Sequence, residues 1–196
     1  MQAPKPEPTS ADVLERACRS TAAVLEMVRS ADLDRPTPCA SWNVRDVVNH
    51  IVGGTGYFAE LAEKGAVTDR GDEGDCTETD FAAIFRREAE RLVAAFRAPD
   101  AMTKPMKMPF GELPGSVCVW IAAGDIFTHG WDLAKATGQP TDLEPDVAAQ
   151  LLVQIEPILP DAMRGPDGEA AFGPRVEIAN SAPAADRLAA FEGRHP

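Results

Sequence analysis

Basic residues are in short supply: 19 Lys and Arg stand against 31 Asp and Glu, for a formal net charge of −12. The negative field this creates repels phosphate backbones and anionic lipid headgroups, so nonspecific nucleic-acid binding is excluded. Long apolar runs are missing too. The longest, residues 117–123, is far short of the roughly 20 residues a membrane-spanning helix needs. The opening MQAPKPEPTS has neither a basic start leading into an apolar stretch nor a small-residue cleavage site. No secretory signal is read there, and a cytoplasmic location is expected. Paired cysteines are absent: Cys18, Cys39, Cys76 and Cys118 are far apart, with no Cys-x-x-Cys to suggest a redox motif or a four-cysteine zinc clamp. Cys18 and Cys118 read as small core hydrophobes. Cys76 lies among acidic residues that disfavour a thiolate, so it is not read as a nucleophile. What remains, 44% hydrophobic and 26% charged in 196 residues, has the balance of a globular domain large enough for one core.

Residues 1–8 carry three prolines and little apolar surface and are expected to form a flexible leader, with a single domain over 9–196. Thr9 and Asp12 resemble a capping box, and Val13, Leu14, Ala17, Leu25 and Val28 continue a helical stripe to about Ser30. Pro36 and Pro38 force an extended connection. Ser41 is placed to cap a second helix over 42–64, whose Val44, Val47, Val48, Ile51, Phe58 and Leu61 share a face. The acidic, glycine-rich segment 65–79 is expected to be a mobile crossover. Phe81, Ile84, Phe85, Ala89, Leu92 and Phe96 mark a third helix. Repeated Pro and Gly between 99 and 115 predict a turn-rich connection with a hairpin around Gly111. A fourth helix is predicted over 116–137, a fifth over 145–158, an extended alternation at 175–178 and a short final helix over 183–191. Four long amphipathic helices bury their stripes most simply against one another. The expected fold is therefore all-α, a four-helix bundle with additional short C-terminal helices and a minor hairpin, its helix order left open by the long crossover.

Histidine is scarce as well, with three in the chain, and its placement is informative. His195 is expected in solvent. Asp125 and His129 are four apart within the fourth helix, which sets both on one face about a turn apart, near enough to ligate one ion. An ordinary surface pair explains that spacing equally well. However, Cys118, Ala122 and Asp132 share the same face, while Trp120, Ile121, Phe127 and Trp131 cover others. A helix that is apolar nearly all round is interior, and a buried Asp with a His needs a proton, a partner or a cation. His50, at the flank of the second helix's buried stripe, reads either as a core histidine bonded to backbone or as part of the same group. Two histidines and a carboxylate brought together on neighbouring helices is the more economical reading.

Thr37-Pro38-Cys39, Trp42, Val44-Arg45-Asp46, the run VNHIVGG at 48–54 and the run DIFTHGWDLAKATG at 125–138 together resemble a known family. It is that of the DinB-like (DinB/YfiT-like) metal-binding proteins, in particular the actinobacterial branch related to the metal-binding N-terminal domain of mycothiol-dependent maleylpyruvate isomerase. The tail AFGPRVEIANSAPAADRLAAFEGR is similar to that branch too, and the resemblance covers residues 10–194. It implies a DinB-like bundle holding a divalent metal near one end, with His50, Asp125 and His129 as ligands. Asp125 stands where the isomerase carries a glutamate, one methylene longer. The isomerase also has an additional C-terminal domain that contributes to its active site, so maleylpyruvate isomerisation is not carried over.

Two imidazoles and one carboxylate leave a coordination position open, as in catalytic rather than structural zinc sites. Zinc is the expected metal, and nickel and iron accept the same donors. The cationic centre favours a thiolate and lowers a thiol's pKa. With mycothiol implied as cosubstrate, the expected activity is a metal-dependent thiol transferase joining a low-molecular-weight thiol to a small-molecule electrophile. The alternatives are a metal-dependent hydrolase, with water in place of the thiol, and a nonenzymatic metal or small-ligand binding module. Asp132 is the first candidate to orient an imidazole, with a surface charge as its other reading. Asn49 contacts ligand or caps a neighbouring loop. Trp42 and Trp131 read as a cavity wall or as aromatic core. Arg45 has substrate acids, Asp46 or Asp34 as partners. No nucleic-acid or membrane partner is expected, and a homodimer is left open.

Overall fold

The structure is a computed structural model that describes residues 8–68, 74–166 and 169–196. The expected leader lies almost entirely outside the described residues, as do positions 69–73 of the crossover. Helix α1 (Ser10–Leu25) starts with the Thr9–Asp12 capping box. Helix α2 (Val44–Lys64) starts two residues later than the predicted boundary at 42, because the turn-rich segment before it is folded back on itself: Val44 N–H donates to Arg35 O and Arg45 N–H to Leu33 O. The cap is therefore Asn43, reciprocally bonded with Asp46, and not Ser41. Helix α3 (Phe81–Phe96) is followed by the predicted hairpin, β1 (Pro105–Met108) and β2 (Gly111–Pro114), antiparallel with Met108 opposite Gly111. Helix α4 (Gly115–Thr137) ends on Gly138 in the left-handed conformation. Helix α5 (Pro145–Ile155) stops short of Ile158, where Pro157 removes an amide donor. Helix α6 (Ala184–Phe191) closes the chain. The alternation at 175–178 forms no strand and keeps one ladder-like bond, Val176 N–H to Ala190 O.

The four long helices close a ring in the order α1, α3, α2, α4, so α1 and α2, consecutive in the chain, lie diagonally. Their apolar stripes supply the core: Leu14, Leu25, Val47, Ile51, Leu61, Phe85, Leu92, Phe96, Ile126 and Phe127 are fully buried or nearly so. Met106 on the hairpin is buried with them. α5 and α6 pack on each other and on α4, which is thereby enclosed on most of its length. Burial pushes the Cys18 thiol up to about 12 and the Cys118 thiol up to about 11, as fits inert core thiols. No helix of the described residues is long and apolar enough to cross a membrane.

Candidate metal centre

The α2–α4 contact brings the three candidate ligands together. His50 comes from α2, and Asp125 and His129 from successive turns of α4. One donor atom from each lies within 4.8 Å of the other two. Asp125 Oδ1 sits between the imidazoles, 3.2 Å from His50 Nε2 and 3.8 Å from His129 Nε2. The group is graded in depth: the side chains of His50 and Asp125 are 34% and 26% exposed, that of His129 8%. It thus has a protein side and an open side.

Trp42, from the chain leading into α2, forms the wall. Its ring centroid is 4.6 Å from that of His50 and 5.4 Å from that of His129. Trp131 does not belong to the site. It is fully buried and its indole N–H donates to Asp186 on α6, which makes it core. Asn49 takes the loop-capping role: its side chain donates to Asp75 Oδ1 and accepts the Cys76 N–H. Arg45 pairs with Asp75 at 2.8 Å and only distantly with Asp34, while Asp46 is used in the α2 cap. The end of the crossover around Asp75 and Cys76 is therefore anchored on α2. His195 is exposed, as expected.

Asp132 is not a surface charge. It is completely buried, and its Oδ2 accepts from His129 Nδ1 at 2.9 Å. Burial pushes the Asp132 carboxyl up, but the Arg194 charge and the His129 bond outweigh it and hold it below the usual range. Burial pushes His129 down, only partly offset by Asp132 and Asp125, so the imidazole is neutral near pH 7. A neutral imidazole donating from Nδ1 keeps its lone pair on Nε2, and that nitrogen faces Asp125. For Asp125 itself, burial raises the carboxyl and the two histidines more than reverse it, so it is ionised. A carboxylate, a correctly oriented neutral imidazole and a second imidazole suit a divalent cation of the zinc, nickel or iron kind. Such a carboxylate–histidine arrangement behind a ligand is the usual means of fixing it.

Residues 14–134 match the sequence model of the mycothiol maleylpyruvate isomerase N-terminal domain. The chain belongs to this family. It is a DinB-like metal-binding family found in actinobacteria. Among its relatives, an uncharacterized protein of Mycobacterium tuberculosis, matched in two strains, is 36% identical over 180 residues, covering 92% of this chain and 94% of the relative. Among solved structures, the crystal structure of the mycothiol-dependent maleylpyruvate isomerase is similar, with TM-score 0.57 and 18% identity over 73% of this chain. A histidine-to-alanine mutant of that isomerase gives TM-score 0.58 and 17% identity over 73% of this chain. At this identity the likeness shows the fold, and in both comparisons the matched part spans 66% of the isomerase chain.

Three residues around this family's candidate centre carry no role in the sequence reading. Cys39 Sγ, a His129 ring nitrogen and an Asp132 oxygen lie within 4.8 Å of one another. Arg194 reaches Asp132 with two nitrogens, at 3.1 and 3.4 Å. Glu192 is 4% exposed and lies 3.7 Å from Arg194, and burial pushes its carboxyl up to about 7. The one signal for Arg194 was its position in the tail that resembles the isomerase branch, since sequence spacing relates it to nothing on α4. A cleft of about 260 Å³, lined by Asn49, Val52, Gly53, Gly56, Gly74, Cys76 and Ile84, runs along the neighbouring face of α2. A larger hollow of about 410 Å³, between α1 and the segment after α4, contains none of the donors.

Proposed function

We propose that the protein holds a divalent metal, zinc in the first instance, through His50, Asp125 and His129, and uses it to join mycothiol or a related low-molecular-weight thiol to an electrophilic small molecule. The observation that carries this reading is the convergence of the three donor atoms within 4.8 Å, with His50 and Asp125 partly exposed. When bound, such a cation supplies the positive charge that lowers a thiol's pKa toward neutrality. The protein's own groups do the rest. His129, fixed by Asp132, presents one lone pair. Asp125 neutralises part of the charge while leaving an excess that attracts a thiolate, and Trp42 shields the imidazoles from water on one side. In the reaction the thiol proton goes to solvent, and a sulfur electron pair forms the new C–S bond. The electron pair displaced from the electrophile leaves with its leaving group or takes up a proton. Mycothiol enters this reading from the family, whose named isomerase depends on it.

Metal analysis of the purified protein, with the His50→Ala and His129→Ala variants, tests the ligands. Both variants are expected to lose metal, and native metal content in both overturns the assignment. Mass-spectrometric trapping of mycothiol adducts with a panel of electrophiles tests the chemistry. Turnover that needs water but no thiol replaces the transferase reading with a hydrolase, and ligand uptake without product replaces it with a binding module.

A further inference from the structure

Asp132 and His129 account for one side of the candidate centre, but a buried carboxylate with no exposed surface needs a counter-charge to stay ionised and in place. That charge comes from a distant part of the chain. Arg194 is 7% exposed and forks onto Asp132, Nη2 to Oδ2 at 3.1 Å and Nε to Oδ1 at 3.4 Å, so each carboxylate oxygen is held. Oδ2 is the same atom that accepts from His129 Nδ1. The guanidinium is itself built in: Nη1 donates to Glu192 O, the Glu192 carboxylate lies 3.7 Å away, and the Arg194 N–H donates to Ala189 O. The turn that aims it depends on Gly193, at φ +94°, where a Cβ would overlap the Gly173 backbone. Both the conformation and the close approach require glycine. A side chain seated this way is no casual surface contact.

We propose that Arg194 is a positioning residue for the centre: by clamping Asp132 through a two-pronged ion pair, it holds the proton on Nδ1 of His129 and keeps the Nε2 lone pair directed at Asp125 and His50. Arg194 touches no ligand atom and acts only through Asp132. It also balances the Asp132 charge, so that the centre retains the positive excess that draws a thiolate. A lysine cannot do the same work, because a point charge does not hold both oxygens of a carboxylate in one plane. The inference rests on the metal reading above for its consequence, but its core claim concerns an imidazole proton and is measurable in the metal-free protein.

The test compares wild type with Arg194→Met, Arg194→Lys and Gly193→Ala. Long-range ¹H–¹⁵N spectra of the metal-free protein are expected to show His129 as a single Nδ1–H tautomer in wild type and as a mixture in Arg194→Met and Gly193→Ala. Zinc affinity by competition with a chelating dye is expected to fall about 10- to 100-fold in the same variants, the usual effect of removing a group that orients a ligand. His50→Ala separates the roles, losing affinity while keeping the His129 tautomer. A folded Arg194→Met with the wild-type tautomer and affinity overturns the proposal. Where the methionine variant does not fold, Arg194→Lys decides: a shifted tautomer supports the fork, and wild-type tautomer and affinity overturn it. Wild-type protein that fails to bind zinc overturns the metal reading alone, because the tautomer comparison still stands.

Discussion

His129 has two ring nitrogens with opposite duties, and the environment assigns them. One donates to a carboxylate that has no exposed surface, and the other faces a carboxylate that is partly open. The i, i+4 spacing of Asp125 and His129 made one of these relations legible in the sequence, and the i, i+3 spacing to Asp132 made the other a candidate. The residue that completes the set, Arg194, lies 62 positions further on, and no local pattern links the two. Glu192 beside it gives a prediction at this scale. Its folded-state carboxyl, raised by burial from 4.5 to about 7, contributes stability that is fully present below about pH 4.5 and lost as pH rises through about 7. Urea unfolding at pH 5 and pH 8 is therefore expected to show wild type losing more stability across that interval than Glu192→Gln, by as much as ~3 kcal/mol. Equal losses in the two proteins sink the assignment.

α4 is the element on which the rest is organised. Its apolar residues on nearly every face announced an interior helix, and it is enclosed by α1, α2, α5 and α6. Close approach to α1 depends on Gly130, where a Cβ would overlap the Thr21 hydroxyl, itself bonded to Ile126 O at 2.9 Å. Gly130→Ala is expected to cost about 1–3 kcal/mol through overpacking, and a calorimetric scan with an unshifted midpoint contradicts this. At the start of α2 the correction from Ser41 to Asn43 has a physical source. Backbone bonds from Val44 and Arg45 to residues 35 and 33 keep positions 42 and 43 out of the helix, and no local propensity records that. Asn43→Ala is expected to cost about 1 kcal/mol of stability through loss of this cap. Chemical denaturation of the variant beside wild type checks it, and an unchanged midpoint contradicts the cap assignment.

Across the whole molecule, the candidate centre joins helices that are neighbours only in the folded ring. His50 and Asp125 are 75 positions apart. A cation held there binds the folded chain and not the unfolded one, so it stabilises by mass action. Dialysis against a strong chelator is expected to lower the thermal midpoint by ~5–10 °C, the shift for about 2.7 kcal/mol at a hundredfold excess of metal over its dissociation constant. Added zinc is expected to restore it. The His129→Ala variant is expected to show no such response, and a chelator effect of equal size in that variant argues for metal bound elsewhere. The net charge of −12 belongs to this scale as well. It keeps polyanions away from the surface as a whole.

Helical periodicity marked the long helices and the interior character of α4, because burying an apolar stripe is a local constraint written at steps of three and four residues, and repeated Pro and Gly marked the hairpin. Helical spacing also placed Asp125, His129 and Asp132 on one face. That His50 shares their space was an inference from economy and resemblance, since distance across a bundle has no signature along the chain. Only the tertiary structure decided that Asp132 is buried, that Trp42 lies against both imidazoles while Trp131 goes to the core, and that Arg194 is seated behind the centre. The reason is common to all of them. Each depends on which surfaces meet when helices pack, and a buried charge takes its partner from whichever segment arrives there, however far away it is in sequence.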